Sequence, residues 1–374
     1  MSNEPTNSSP DVSAPAMSPF RAAANRAYSA SRRFGQRLYG MGQACWETWT
    51  APPVFTVAVS MRPVFGPWGG SSVFVHQLEA CLRRRGCRVQ YHLRGEVDVI
   101  VLIDPREDLE SKAFGPAAIR DCKRRNPRVQ VLHRINECDQ RKKTDFMDRM
   151  LAEANALADH TIFISEWLRD YFAGRWFDPA RSHSVIYNGA DPAIFHPVGQ
   201  QPYIAGQPFR ISTHHWSDNP MKGFPVYEQV DRLIADGTLT GVELWVIGRW
   251  PASIRWHAAR TFPAVSGRRL AGLLRQCHAH ITASLWEPCG MHHVEAAQCG
   301  LPMAYHEDGG GIVEAGRRYG VPFRDDPAAA IRTLRADYDE YHRRVLAGAP
   351  DGDRMAMAYA DRIRQMALDS RRAR

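Results

Sequence analysis

Short apolar runs alternate with helix-length segments along most of this chain, and the pattern pauses once before starting again. The first set is VFTVAVS (54–60), CRVQYHL (87–93), VDVIVLI (97–103), RVQVLHRI (128–135), HTIFIS (160–165) and HSVIY (183–187). The second is FRISTH (209–214), VELWVIG (242–248), HAHITAS (278–284) and LPMAYH (301–306). Each run has strand length and β-branched content. Strands separated by whole helices pair through crossovers, and so in parallel, which predicts two doubly wound α/β sheets. The Gly/Pro/Gln-rich stretch VGQQPYIAGQP (198–208) marks the boundary between them. A chain of 374 residues exceeds one ordinary core and accommodates two domains of about 150 residues with extras. The expected organisation is an extension (1–50), a first Rossmann-like domain (51–200), a second one (201–348) and a closing helix (349–374).

Hydrophobic residues make up 44% and charged residues 24%, the balance of a soluble globular protein. No run approaches the length of about 18 apolar residues that a membrane span requires. The eight cysteines form no Cys-x-x-Cys pair, and the N-terminus shows no basic start followed by an apolar stretch, so reduced thiols in the cytoplasm are expected. The net charge of +8 admits anionic lipid, nucleic acid or phosphorylated ligands without choosing among them. No nucleic-acid recognition motif accompanies the basic runs Arg83-Arg84-Arg85, Lys123-Arg124-Arg125 and Arg141-Lys142-Lys143. They read as helix-end and loop cations with a structural role.

Residues 1–19 are rich in Ser, Pro and Asn and are expected to stay disordered. From Phe20 to Cys45, five arginines and no acidic residue accompany apolar groups at roughly helical spacing. Two readings stay open: a basic amphipathic helix lying on the anionic inner face of a membrane, or an extension that packs on the protein or frays.

The segment Ser284 to Gly311 carries the chemistry. Glu287 and Glu295 are separated by seven residues, a spacing that about one glutamate pair in a chain of this length shows by chance. Its setting gives it meaning. An apolar strand ends at Ser284, a turn passes through Pro288, Cys289 and Gly290, and a helix begins at Met291 and closes at Gly300 before Pro302. Free N–H groups at the helix start suit a diphosphate, and the carboxylates on either side suit sugar and ribose hydroxyls.

This segment resembles the donor site of retaining GT-B glycosyltransferases of family 4, whose hallmark is Glu-x7-Glu followed by Glu-Ala-x-x-x-Gly-x-Pro; Glu295-Ala296, Gly300 and Pro302 match it. Further landmarks follow the family's order: Gly69-Gly70 opening the first long helix, Asn188-Gly189-Ala190-Asp191 with Phe195-His196-Pro197, Lys222-Gly223 at a helix start, and Val246-Ile247-Gly248 ending a strand. The resemblance implies a GT-B fold and transfer of a sugar from a nucleoside diphosphate donor to a glycan, lipid-linked or small-molecule acceptor. It implies donor contacts from Gly69, Gly70, Lys222, Glu287, Cys289, Gly290, Met291 and Glu295. Lys222 and Glu287 would serve catalysis, with His133 at the end of its strand near the reacting sugar. Trp68, Arg134 and Asn136 would line the acceptor side. In one respect the chain departs from the family. An arginine usual a few residues before the lysine is missing from THHWSDNPMKGF, and His214, His215, Asn219, Arg249 and Arg268 are candidates to replace it. Cys289, His292 and Glu295 fall three residues apart and could bind zinc, but the resemblance implies neither metal nor cofactor. A sugar-nucleotide epimerase of the same fold, and a non-catalytic glycan- or nucleotide-binding scaffold, stay open as alternatives.

Overall fold

The computed structural model describes residues 54–64, 70–107 and 109–372. The basic segment 20–45, Trp68 and Gly69 lie outside the described residues.

The first sheet contains β1 (Thr56–Val59), β2 (Arg88–Gln90), β3 (Val99–Leu102), β4 (Gln130–Ile135), β5 (His160–Phe163) and β6 (His183–Val185). Its order is β2-β1-β3-β4-β5-β6, and every pairing is parallel. The crossovers carry α1 (Gly70–Arg84), α2 (Pro116–Arg125), α3 (Asp139–Lys142), α4 (Met147–Asn155) and α5 (Glu166–Ala173). β1 and β3 are buried along their whole length, because helices cover both faces of the sheet.

The second sheet contains β7 (Phe209–His215), β8 (Val242–Gly248), β9 (Arg260–Phe262), β10 (Ala279–Thr282), β11 (Met303–His306) and β12 (Gly320–Phe323), in the parallel order β12-β11-β10-β7-β8-β9. Here a 3-10 turn (Pro220–Lys222) precedes α6 (Phe224–Ala235), followed by α7 (Gly267–Leu274), α8 (Met291–Gln298), α9 (Ile312–Tyr319), α10 (Pro327–Ala336) and α11 (Tyr338–Gly348). The two doubly wound sheets predicted from the strand pattern are present. β9 and β12 were not predicted. They are short edge strands in which every residue but Phe323 is exposed or half-exposed, so they give no apolar run to read.

The last helix, α12 (Gly352–Arg372), returns to the first sheet. Met355, Tyr359, Ile363 and Met366 recur every three or four residues, so they share one face and join Phe74, Leu78 and Leu82 of α1 in one core. Tyr359 meets Phe74 edge-on with ring centroids 4.7 Å apart. At its far end Arg371 makes a two-pronged contact with Asp98, at 2.9 and 3.0 Å.

Both sheets contain a point where consecutive strands depart to opposite sides. In the first it lies between β1 and β3, and in the second between β7 and β10. Loops leaving the carboxyl ends of such strands diverge and leave a crevice. The loop after β7 carries Lys222, and the loop after β10 carries Glu287 to Gly290. No helix among the described residues is long and apolar enough to cross a membrane.

Candidate functional site

The loop after β10 is fixed by backbone pairing with the loop after β11. Trp286 N–H donates to Asp308 O at 2.8 Å, Glu287 N–H to Gly309 O at 3.2 Å, and Gly311 N–H to Glu287 O at 3.0 Å. Trp286 takes a left-handed conformation (φ 48°), sparsely populated by a bulky residue and maintained by these bonds on both sides. Gly290 then precedes α8 and supplies no side-chain cap, so the first N–H groups of that helix are not capped by its side chain. Opposite lies the start of α1. A Cβ on Gly70 would stand 2.7 Å from the Met291 Cγ, so two helix N-termini from different sheets meet here. Asn136, in the loop after β4, donates to Ser71 Oγ at 3.1 Å and borders the same place.

Between these ends sits a buried cluster of charge. The Lys222 ammonium donates to Glu287 Oε2 at 2.7 Å. Arg141, from α3 of the first sheet's crossovers, reaches the same oxygen through Nε and Nη2, both at 2.9 Å. Burial alone would raise the Glu287 carboxyl, but the charges of Arg141 and Lys222 outweigh it and hold it well below the usual carboxylate range. Lys222 moves the other way from what an ion pair alone would give. Burial lowers its ammonium, Glu287 only partly restores it, and Arg141 repels it. The two shifts agree once the stoichiometry is considered, since two cations share one anion and the anion gains most. Nearby, Lys142 pairs with Glu137 at 3.1 Å, and burial raises the Glu137 carboxyl despite that partner.

Glu295, one turn into α8, lies 3.0 Å from His214 Nε2 at the end of β7. Behind it His215, His280, His292 and His293 form a buried layer with His214, neighbouring ring centroids standing 5.2 to 6.2 Å apart. Burial keeps His215, His280 and His292 far below the ordinary imidazole value and brings His293 to about 4, so these rings are neutral. Neutral rings bond to hydroxyls: His292 to Thr282 Oγ1 at 2.8 Å, His215 to the Tyr227 hydroxyl at 3.0 Å, His280 to Ser212 at 3.3 Å. Cys289, His292 and Glu295 do not converge. Burial pushes the Cys289 thiol up to about 12, and the other two hold Thr282 and His214. Among the described residues, no group of three or more His, Cys, Asp or Glu side chains is arranged to hold a metal ion.

Two expectations for the first sheet are corrected. His133 has no exposure at all; its Nδ1 lies 3.1 Å from Asn155 Nδ2 on α4, and burial lowers it to about 3. Strand alternation turns it to the same side as Val131, into the core, with no exposed surface to offer a ligand. Arg134 points to the opposite face but is equally enclosed. Its guanidinium lies 4.2 Å from the Phe74 ring centroid and donates to Asn188 Oδ1 at 2.8 Å, while Asn188 Nδ2 donates to Cys289 O at 2.7 Å. Arg134 therefore braces the turn through Asn188 and does not line an acceptor surface. Of the residues offered as replacements for the missing arginine, His214, His215, Asn219 and Arg249 hold other partners. Asn219 caps the 3-10 turn by accepting from Met221 N–H at 2.8 Å, Arg249 donates to Trp216 O at 2.7 Å, and Arg268 is exposed on α7. Sequence reasoning had placed Arg141 among the structural cations.

A cavity of about 450 Å³ lies beside the turn, lined by Tyr187, Asn188, Cys289, His293, Glu314 and Arg318. A larger one, about 550 Å³, lies between Tyr203 and α10–α11 and touches none of these residues. Contact with the turn at Cys289, and not size, makes the first relevant.

No protein-family model matches the chain, and no curated protein sequence does. Solved structures do. Sucrose-phosphate synthase from Thermosynechococcus elongatus aligns with a TM-score of 0.59 at 14% identity, over 83% of this chain and 99% of that one. WaaG, a glycosyltransferase involved in lipopolysaccharide biosynthesis, gives 0.60 at 14%, over 82% and 99%. HepE of Anabaena, in complex with UDP and glucose, gives 0.60 at 14%, over 83% and 100%. The fold is GT-B. At such identities the fold is what these proteins share with this chain.

Proposed function

We propose that this protein is a retaining glycosyltransferase resembling family 4, which moves a sugar from a nucleoside diphosphate donor to a glycan, lipid-linked or small-molecule acceptor. The observation that carries the reading is the buried Lys222–Glu287 pair at the start of α8, at the point where β7 and β10 diverge. A buried ammonium beside helix N–H groups suits the diphosphate, and Glu295 suits the ribose. Glu287 and the backbone at Cys289, Gly290 and Met291 would meet the sugar, with Gly70 closing from the other side. HepE, which shares the fold, binds UDP and glucose.

In this reading the acceptor oxygen attacks the anomeric carbon from the face that the diphosphate leaves. The bond from that carbon to the phosphate oxygen breaks, and the acceptor proton passes to the departing phosphate, so that no protein base is required. Lys222 and the α8 amides stabilise the charge that develops on the leaving group. Neither metal nor cofactor is assigned a part.

A thermal-shift panel of UDP, GDP and ADP sugars tests donor binding, and mass spectrometry with candidate acceptors tests transfer. Proton NMR of the product's anomeric centre reads retention directly. Lys222→Ala is expected to lower kcat about 100-fold or more. Failure of every nucleotide sugar to stabilise the protein would contradict the reading.

A further inference from the structure

Resemblance to family 4 leads one to look for two cations near the diphosphate, both from the second sheet, and the stretch THHWSDNPM ahead of Lys222 holds no arginine. We propose that the second is Arg141, contributed from the first sheet's side, so that the leaving group is held by cations from opposite walls of the cleft. This rests on reading Lys222 and Glu287 as part of the donor site.

Three observations support it. Arg141 and Lys222 converge on a single oxygen, Glu287 Oε2, at 2.9 and 2.7 Å, although they lie in different halves of the fold. Arg141 is 6% exposed, and its Nη1 is buried with no hydrogen-bond partner, a donor turned inward with nothing to bond. Such a donor is costly to leave unmade, and a phosphate has oxygens to satisfy it. Finally, the local charge does not balance. Glu137 answers Lys142, leaving one carboxylate for two cations. A diphosphate provides the further negative charge and the forked oxygens that a guanidinium matches.

The turn that carries Arg141 is held firmly. Asp139 opens α3 and accepts from Met147 N–H at 2.8 Å, Thr144 Oγ1 at 2.5 Å and Asp148 N–H at 3.1 Å. Lys143 ends the turn in a left-handed conformation (φ 55°). Because Arg141 and Lys222 belong to opposite walls, the full cation set exists only when the walls are together. Leaving-group stabilisation is thereby tied to closure, and an open cleft is a poor hydrolase of its own donor.

The test uses the full chain, with Arg141→Ala, Arg141→Lys and Lys222→Ala. Titration calorimetry compares UDP, GDP and ADP with UMP, GMP and AMP. Arg141→Ala is expected to weaken the preferred diphosphate at least tenfold and its monophosphate by no more than about twofold. Arg141→Lys, which keeps the ion pair with Glu287, is expected to fall between, and it carries the test should Arg141→Ala fail to fold. Millimolar guanidinium is expected to recover part of the diphosphate affinity of Arg141→Ala. Equal weakening of mono- and diphosphate would make Arg141 a support for Glu287 and overturn the proposal. Loss of diphosphate binding in Lys222→Ala with none in the Arg141 variants would overturn it while leaving the donor site intact. Should no nucleotide bind the unaltered protein, the donor reading and this proposal fall together.

Discussion

The Tyr187 hydroxyl donates to the Glu314 carboxylate at 2.5 Å, joining the loop after β6 to α9. The same carboxylate accepts from Trp167 N–H at 2.7 Å and Glu166 N–H at 3.2 Å, so a side chain of the second sheet's helices caps α5 of the first. A carboxylate at a helix N-terminus gains both hydrogen bonds and the helix dipole. Glu314→Ala leaves those amides without an acceptor and is expected to cost about 1–3 kcal/mol. Denaturant unfolding reads the loss, and hydrogen exchange locates it in faster exchange of the Trp167 amide. An exchange rate at Trp167 equal to that of the unaltered protein would contradict the capping role.

Gly223 follows Lys222 directly and sets its course. It has φ 76°, and a Cβ there would lie 2.1 Å from Ala283 O, which is backbone and cannot move aside cheaply. Gly237 offers a matched comparison, with φ 79° and nothing within 4 Å of the added atom. Gly237→Ala is expected to cost about 1 kcal/mol from its backbone conformation alone. Gly223→Ala adds displacement of Lys222 or β10, bringing the cost to about 3 kcal/mol or more and weakening nucleotide binding. Equal thermal midpoints for the two variants would show that the close approach at Ala283 is not limiting.

The sequence showed the two-sheet plan because buried parallel strands must be apolar runs, and ten of these could be read directly. Edge strands β9 and β12 carry no such requirement and passed unnoticed. Local placement was legible too. Lys222, Glu287 and Glu295 stand near the turns in which they were expected, because strand, turn and helix signals are short-range. His133 misled for the converse reason, since its position on β4 says nothing about which face of the sheet it turns to until the helices are in place. Arg141 could not be found from pattern at all. It lies 146 residues before Glu287, in a basic run like two others. The missing arginine ahead of Lys222 announced a vacancy without saying where a cation would come from.

Glu295 carries a prediction about binding without chemistry. If its carboxylate, oriented by His214 at 3.0 Å, accepts from the ribose hydroxyls, Glu295→Ala removes charge-assisted bonds made equally in ground and transition states. Affinity for the preferred nucleoside diphosphate is expected to fall about 10- to 100-fold. KM for the donor should rise with kcat nearly unchanged. The 2′,3′-dideoxy nucleotide should bind the variant and the unaltered protein alike. A loss of the same size with the dideoxy nucleotide would remove Glu295 from the ribose.

The buried histidines make the fold sensitive to acid. Burial is the main cause for each: His133 is brought to about 3, His160, His278 and His293 to about 4, and His215, His280 and His292 lie far below the ordinary value. In the unfolded chain each returns to about 6.5. Above that value both states are neutral and these groups give no pH dependence. As the pH falls from about 6.5 towards 4, the unfolded chain takes up protons that the folded one refuses, and each histidine removes about 1.4 kcal/mol of stability per pH unit. Glu287 acts in the same direction lower down. Its depressed carboxyl contributes stability above the ordinary value of about 4.3, and this is lost as the pH falls further. Typical stabilities of about 5–15 kcal/mol leave little reserve against several such groups acting together. The urea midpoint is therefore expected to be flat between pH 7 and about pH 8 and to drop steeply from pH 6.5 to 5.5, with uptake of several protons per unfolding event. His280→Asn should reduce that uptake by about one proton. A midpoint unchanged between pH 7 and 5 would mean that these rings reach solvent or partners that admit their charge.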